Sequence, residues 1–525
     1  MKRRDFLRKS IAGGLAPIVI NGIPVKALAD NPLVQFLGKA GFEDRVVVLI
    51  QLNGGNDGIN TVIPLDQYSN LSAVRSNIII PEPKVLKLNG TTATGFHPAL
   101  SELRGMYDNG KVSIVQSVGY PNPDFSHFRA TDIWLTASDS NQFLQTGWMG
   151  RYLDQRFPNF PEGYPNTNYP DPPAIQIGAM ISPAVQGHSH SLGMSITDPT
   201  SFYQFVSGTV DPAPPTPAGH ELTFVRLVAQ QTQAYSGVVK NAAAKATNLS
   251  TLYPTAGQNT LADQLKIVAQ LIAGGLKTQV YMVSLGGFDT HAAQVVSGAT
   301  DTGTHATLLS RISVAVNAFQ DDLQKLGIAD RVLGMTFSEF GRRIVSNGSL
   351  GTDHGTAAPL FIFGTKVNGG IYGTNPIIPS SPTVNDNIPM QYDFRSIYTT
   401  ILKNWFGVSD TELTQTMLKD FPLVNFVSST NPTGVNDTSA LDKAAVNCYP
   451  NPCKTYTRIA FTTTGGLVRI RLFDQFGKLV ETLNEATYPI GTFEVNVNTE
   501  HLATGLYYYQ VQQGGDQVMK TFVKM

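Results

Sequence analysis

Short, near-continuous apolar runs recur through the middle of the chain, each of strand length and bounded by glycine or polar residues. VVVLIQL from Val46 and VSIVQSV from Val112 come first, then YMVSL from Tyr281, VLGMTF from Val332 and LFIF from Leu360. Such runs predict strands buried on both faces. Between the third and fourth, Leu309, Ile312, Val316, Phe319, Leu323 and Leu326 recur at steps of three and four, one face of a helix that stops at Gly327. Leu261, Leu265, Val268 and Ile272 make a second such stripe. Strand, helix, strand units predict an α/β fold: a mostly parallel sheet with helices on both faces, its sites just beyond the C-terminal strand ends.

The pattern changes at both ends. From about Cys448 it becomes alternating, with Val468, Ile470 and Leu472 on one side and Arg469 and Arg471 on the other. This predicts a small all-β sandwich over residues 446–525. Before it, VSSTNPTGVNDTSALDK from Val427 is poor in large apolar residues and predicts a linker over 427–445. The α/β domain is expected over 30–426. At the start, Arg3 and Arg4 precede Asp5, Phe6 and Leu7, a weakly apolar run follows, and Ala27, Leu28 and Ala29 form a small-residue cleavage pattern. Residues 1–29 resemble a twin-arginine export signal, which implies the twin-arginine translocase as a partner.

Charge narrows the function classes. Lys plus Arg number 38 against 39 Asp plus Glu, so no general electrostatic attraction to nucleic acid exists and none is expected as a partner. No run is long and apolar enough for a transmembrane anchor. The two cysteines, Cys448 and Cys453, bracket a YPNP turn, where an oxidising compartment would permit a short disulfide.

Each predicted strand ends in polar residues. NGGNDGIN after the first carries Asn53, Asn56 and Asp57; after the second come Asp124, Ser126, His127 and Arg129. GGFDTH follows the third with Asp289 and His291, SEFGRR the fourth with Glu339, Arg342 and Arg343, and GTDHG precedes the fifth with Asp353 and His354. Taken singly, these have plain structural readings as glycine turns, helix caps or ion pairs. Together, carboxylates and imidazoles on one sheet edge are the mix that binds a divalent ion such as zinc, manganese, calcium or magnesium. His97, before Pro98, is read as structural.

Two resemblances follow from these motifs. CYPNPC from Cys448, LFDQFGKLV from Leu472 and LATGLYYYQV from Leu502 resemble the C-terminal sorting domain of type IX secretion substrates. That implies the type IX machinery as a partner and a cell-surface or extracellular destination reached through the periplasm. LNGGNDGIN, FHPAL, GYPNPDFSHFRATDIW, GGFDTH, HATLLSRIS, SEFGRR, NGSLGTDHGTAAPLFIFG and YDFRSIY resemble, in order from about Asp44 to Gly407, the family called domain of unknown function 1501. This family is similar to the alkaline phosphatase and sulfatase superfamily.

The second resemblance implies a metal held at the strand ends by Asp57, Asp289, His291, Glu339, Asp353 and His354, with His305 as a substitute ligand. It implies Ser126 as nucleophile at a helix start, with Arg342 or Arg129 clamping ester oxygens. Asn53 stands where the superfamily has an Asp ligand and Phe340 where it has a His, which speaks for one metal rather than two. The expected activity is metal-dependent hydrolysis of phosphate or sulfate esters. The other reading is a non-catalytic, metal-binding surface protein acting in binding or envelope assembly, with a co-exported partner protein.

Overall fold

The computed structural model describes residues 44–199, 217–428, 446–474, 479–513 and 516–525, besides two two-residue strands at 19–20 and 23–24. The paired arginines and Ala27 to Ala29 of the export signal, and most of the expected linker, lie outside the described residues. The chain divides into two compact units, residues 39–428 and a second containing 429–525.

The larger unit is built on nine strands: β1 (Val46–Asn53), β2 (Val112–Gly119), β3 (Ala174–Ile177), β4 (Gly193–Ile196), β5 (Val280–Gly286), β6 (Val332–Phe337), β9 (Ala358–Phe363), β10 (Gly370–Tyr372) and β11 (Tyr392–Asp393). A separate hairpin, β7 (Arg342–Ser346) and β8 (Thr352–His354), follows β6. The sheet order is β10-β2-β9-β6-β1-β5-β3-β4, with β11 also paired to β2. All neighbours are parallel except at β9, which is antiparallel to both β6 and β2. The reversal explains why GTDHG precedes its strand while the other polar clusters follow theirs. The start of β9 lies on the same edge as the ends of β1, β2, β5 and β6.

Helices cover both faces, and the two-residue period of a strand sorts β1 between them. Val46, Val48, Ile50 and Leu52 pack with Leu261, Leu265, Leu309, Ile312 and Phe319 of helices α2 (Thr260–Ala273) and α3 (Thr304–Lys325). Val47 and Leu49 face the other core, with Trp134 of α1 (His127–Thr136) and Trp148, Tyr398 and Trp405. Asn259 caps α2 with its side chain on the Ala262 N–H, and Gly327, at φ 73°, turns the chain out of α3.

The C-terminal unit is all β: β12 (Asn447–Tyr449), β13 (Tyr456–Phe473), β14 (Leu479–Asn498), β15 (Gly505–Gln513) and β16 (Asp516–Lys524). Every strand pairs antiparallel with its neighbours, and β13 joins β12, β14 and β15 in one hydrogen-bonded sheet. Its buried residues change parity along β13, from Ile459, Phe461 and Thr463 to Val468, Ile470 and Leu472. The parity changes across Gly466, at φ 122°, so both halves contribute to one core with Tyr509, Val511 and Phe522. Cys448 and Cys453 are both free thiols, near Thr457 and Thr499 respectively.

Candidate metal centre

Two glycines shape the edge where the strands end. Gly54, at φ 122°, lies so close to the next loop that a Cβ would sit 2.2 Å from the Asp289 nitrogen; one on Gly55, at φ 79°, would meet the Phe340 ring at 2.3 Å. Only a residue without a side chain permits this approach. It brings the loop after β1 against those after β5 and β6.

His127, Asp289 and His354 converge there, with ligand atoms all within 4.8 Å of one another. Asp289 is central: Oδ2 lies 3.4 Å from His127 Nε2, and Oδ1 lies 3.2 Å from both His354 Nε2 and His291 Nε2. The His291 and His354 Nε2 atoms are 2.8 Å apart. Burial works to raise the Asp289 pKa, but the hydrogen bond and charge of Arg342 prevail and hold it below the ordinary carboxylate value. Asp289 is therefore an anion at neutral pH. Partial burial, the largest influence, lowers the His354 pKa and favours the neutral ring that ligates metals. The centre borders an open cavity of about 420 Å³ lined by Gln51, Asn53, His127, Phe128, Thr131 and Asp289 among others. This donor set fits a divalent metal ion, since imidazole nitrogens and a carboxylate are its ordinary ligands.

The expected site residues separate into three groups. Asp289, His291 and His354 meet directly. Glu339 and Asp353 bond two of the rings on their Nδ1 side: Glu339, which also lines the cavity, has Oε1 2.9 Å from His127 Nδ1 and accepts from the Gly54 N–H, while Asp353 Oδ1 is 3.1 Å from His291 Nδ1. Asp57 lies outside the cluster. It is fully buried, and its oxygens accept from Arg75 Nη1 at 2.9 and 2.7 Å and from Gln294 at 2.7 Å, so it offers nothing to the centre.

Neither arginine is free to clamp a substrate. Arg342 has no side-chain exposure and donates to the carbonyls of Gly54, Gly55, Phe288 and Thr352 and to Asp289, fastening three loops together. Arg129 is bonded to Asp132 and to the carbonyls of Asp139, Ser140 and Gln142, with its guanidinium over Phe143. His305 bonds Asn56, 3.0 Å away, and is buried away from the cluster. His97 caps the turn at Pro98 through its Nδ1. Ser126 is exposed at the N-cap of α1, its side chain making no capping bond and its N–H bonded to Asp124.

His127 is the donor that the strand-end reading left unassigned, having placed the nucleophile one residue earlier. The signal was an imidazole in the first turn of a helix following a strand. Phe340, where a ligand was expected, is buried against the rings of His127 and His354 at 4.9 and 4.5 Å and forms their apolar backing.

Residues 224–428 match the family described as "Protein of unknown function (DUF1501)", and residues 447–525 match "Secretion system C-terminal sorting domain". No curated protein matches the chain. Among solved structures, the chain is similar to PorZ, a surface component of the type IX secretion system of Porphyromonas gingivalis. Identity is 19%, over 19% of this chain and only 14% of PorZ, with a TM-score of 0.14. It is also similar to the lipoteichoic acid synthase LtaP of Listeria monocytogenes at 9% identity, covering 75% of this chain and 78% of that one, with a TM-score of 0.31. The sulfatase PsFucS1 of Pseudoalteromonas sp. aligns at 11% identity, over 90% of each chain, with a TM-score of 0.32. These scores are low, and the fold described above rests on strand order and register. Residues 224–428 thus match the DUF1501 family model and residues 447–525 a secretion-system sorting domain, which indicates export to the cell surface or the medium.

Proposed function

We propose that the α/β unit is a metal-dependent hydrolase of phosphate or sulfate esters, working after export. The observation that carries this reading is the convergence of His127, Asp289 and His354 on one point beside an open cavity. A divalent ion bound there would withdraw charge from the ester oxygens and make a nearby hydroxyl more acidic. The chain's own part is nucleophile and orientation. Ser126 offers an exposed hydroxyl next to His127, at the N-terminus of α1, where the helix dipole favours an anionic ester. Gln51, Asn53 and Thr131 bring neutral hydrogen-bonding groups to the cavity, and Phe128 gives it an apolar side.

The twin-arginine signal would carry the folded chain to the periplasm, where the type IX machinery would take the sorting domain. A non-catalytic role in metal-dependent binding or envelope assembly, with a co-exported partner, has one specific observation behind it: both candidate clamps, Arg129 and Arg342, are consumed by the scaffold. The two readings part on turnover. With zinc, manganese, calcium or magnesium supplied, the hydrolase reading expects cleavage of an aryl phosphate or aryl sulfate that Ser126→Ala abolishes while metal content stays. A metal-loaded wild type inert to both ester classes would leave the binding role.

A further inference from the structure

Every imidazole of the centre has its other nitrogen held by an acceptor. His127 Nδ1 is 2.9 Å from Glu339 Oε1, His291 Nδ1 is 3.1 Å from Asp353 Oδ1, and His354 Nδ1 is 2.8 Å from the Phe125 carbonyl. Carboxylates and carbonyls only accept hydrogen bonds, so these three partners favour a hydrogen on Nδ1, while Asp289 competes for one on Nε2 at 3.2–3.4 Å. In the Nδ1–H form the Nε2 lone pairs of His291 and His354 face each other and Asp289, and that of His127 faces Asp289. Two bare nitrogens 2.8 Å apart, each 3.2 Å from a carboxylate oxygen, repel unless a metal ion or a proton lies between them. Separations of this size suit donors that share one ion about 2 Å from each.

The three acceptors come from different elements: the loop after β6, strand β8 and the segment leading into α1. Glu339 is 4% exposed and is anchored in turn by the Gly54 N–H at 2.8 Å and by Ser338. Asp353 is bonded by Asn347 at 3.1 Å. Each is placed to orient a ring through its Nδ1.

We infer that Glu339 and Asp353 are positioning residues: together with the Phe125 carbonyl they fix the Nδ1–H tautomer of His127, His291 and His354, so that three imidazoles ligate through Nε2. This rests on the metal-centre part of the proposed function and needs no ester turnover. Removing such a partner leaves the ligands in place but frees the ring, which lowers metal affinity by roughly 10–100-fold.

The test uses the full chain. Zinc affinity is measured by competition with a chelating dye for wild type, Glu339→Gln, Glu339→Ala and Asp353→Asn, and nitrogen-15 spectra of labelled histidine are recorded without metal. Zinc binding should weaken from wild type through Glu339→Gln to Glu339→Ala, reaching 10–100-fold, with Asp353→Asn affecting His291 in the same sense. The metal-free spectra should show Nδ1–H rings in wild type and loss of that form for His127 in the Glu339 variants. Should the Glu339 variants misfold through the lost Gly54 contact, the Asp353 arm decides. Wild-type zinc affinity in the variants, no zinc binding by the wild type, or Nε2–H rings in the metal-free protein would overturn the inference. Zinc bound as expected with no ester turnover would sink only the hydrolase reading.

Discussion

Arg75 is the place where one substitution should do most damage without touching the metal centre. Its side chain has no exposure; Nη1 bonds both oxygens of Asp57 and Asn60 Oδ1, Nε donates to the Ile344 carbonyl at 2.7 Å, and Nη2 to the Arg343 carbonyl at 2.6 Å. Burial works to raise the Asp57 pKa, yet the Arg75 charge and the hydrogen bonds leave it below the ordinary carboxylate value. Arg75→Met therefore strands a buried anion with Gln294 as its remaining side-chain partner and leaves two carbonyls of β7 unpaired. Breaking a buried pair costs about 3–5 kcal/mol, and a buried unsatisfied carbonyl about 1–3 kcal/mol more. A loss of at least about 4 kcal/mol is expected. Adding Asp57→Asn should return part of it, because the double variant buries no unpaired charge. The assay is urea unfolding followed by tryptophan fluorescence. All three tryptophans, Trp134, Trp148 and Trp405, lie in the 39–428 unit, so the signal reports that unit alone. A loss below about 1 kcal/mol for Arg75→Met, or a double variant worse than the single one, would falsify the buried-pair account.

Acid should weaken the same region. Burial, the largest influence in each, lowers the pKa of His305 to about 4 and of His97 to about 3, from 6.5. The unfolded chain binds more protons below pH 6.5, so stability is complete above that pH and falls towards pH 4, by on the order of 3 kcal/mol for His305 alone; melting curves from pH 7 to 4 should flatten in His305→Gln. Gly54→Ala should lower zinc affinity more than tenfold, or prevent folding, because its Cβ has no room beside Asp289; zinc affinity like the wild type's would refute the close approach. Phe340→Ala should cost about 3–5 kcal/mol in the same urea assay and loosen the His127 and His354 rings. Deleting residues 446–525 should keep the protein inside the outer membrane, and cell fractionation checks this.

The strands and the two main helices were legible because their apolar periods are simple and unbroken. The edge was legible as well, since Asp289, His291, Glu339, Asp353 and His354 each lie within a few residues of a strand end. What the pattern could not reveal was direction and depth. Asp57 lies four residues beyond Asn53, but the left-handed turn at Gly54 and Gly55 sends it inward to Arg75. Arg342 reads as an available cation until the carbonyls of four residues close around it. His127 and Ser126 are neighbours in sequence, and only the first turn of α1 brings the His127 ring to Asp289.

Strand β9 has a mechanical consequence. β2, which leads through its loop to α1 and His127, has no hydrogen-bonded contact with β6 or β1; it is joined to them through β9, whose first residues follow directly on His354. One strand thus acts as a spacer bar between two donors more than two hundred residues apart in the chain. A slip of β9 by one residue would exchange its buried faces and move His127 and His354 out of alignment together. The pairing irregularity between Ala358 and Leu360 in its ladder with β2 therefore sits where it sets the gauge of the centre.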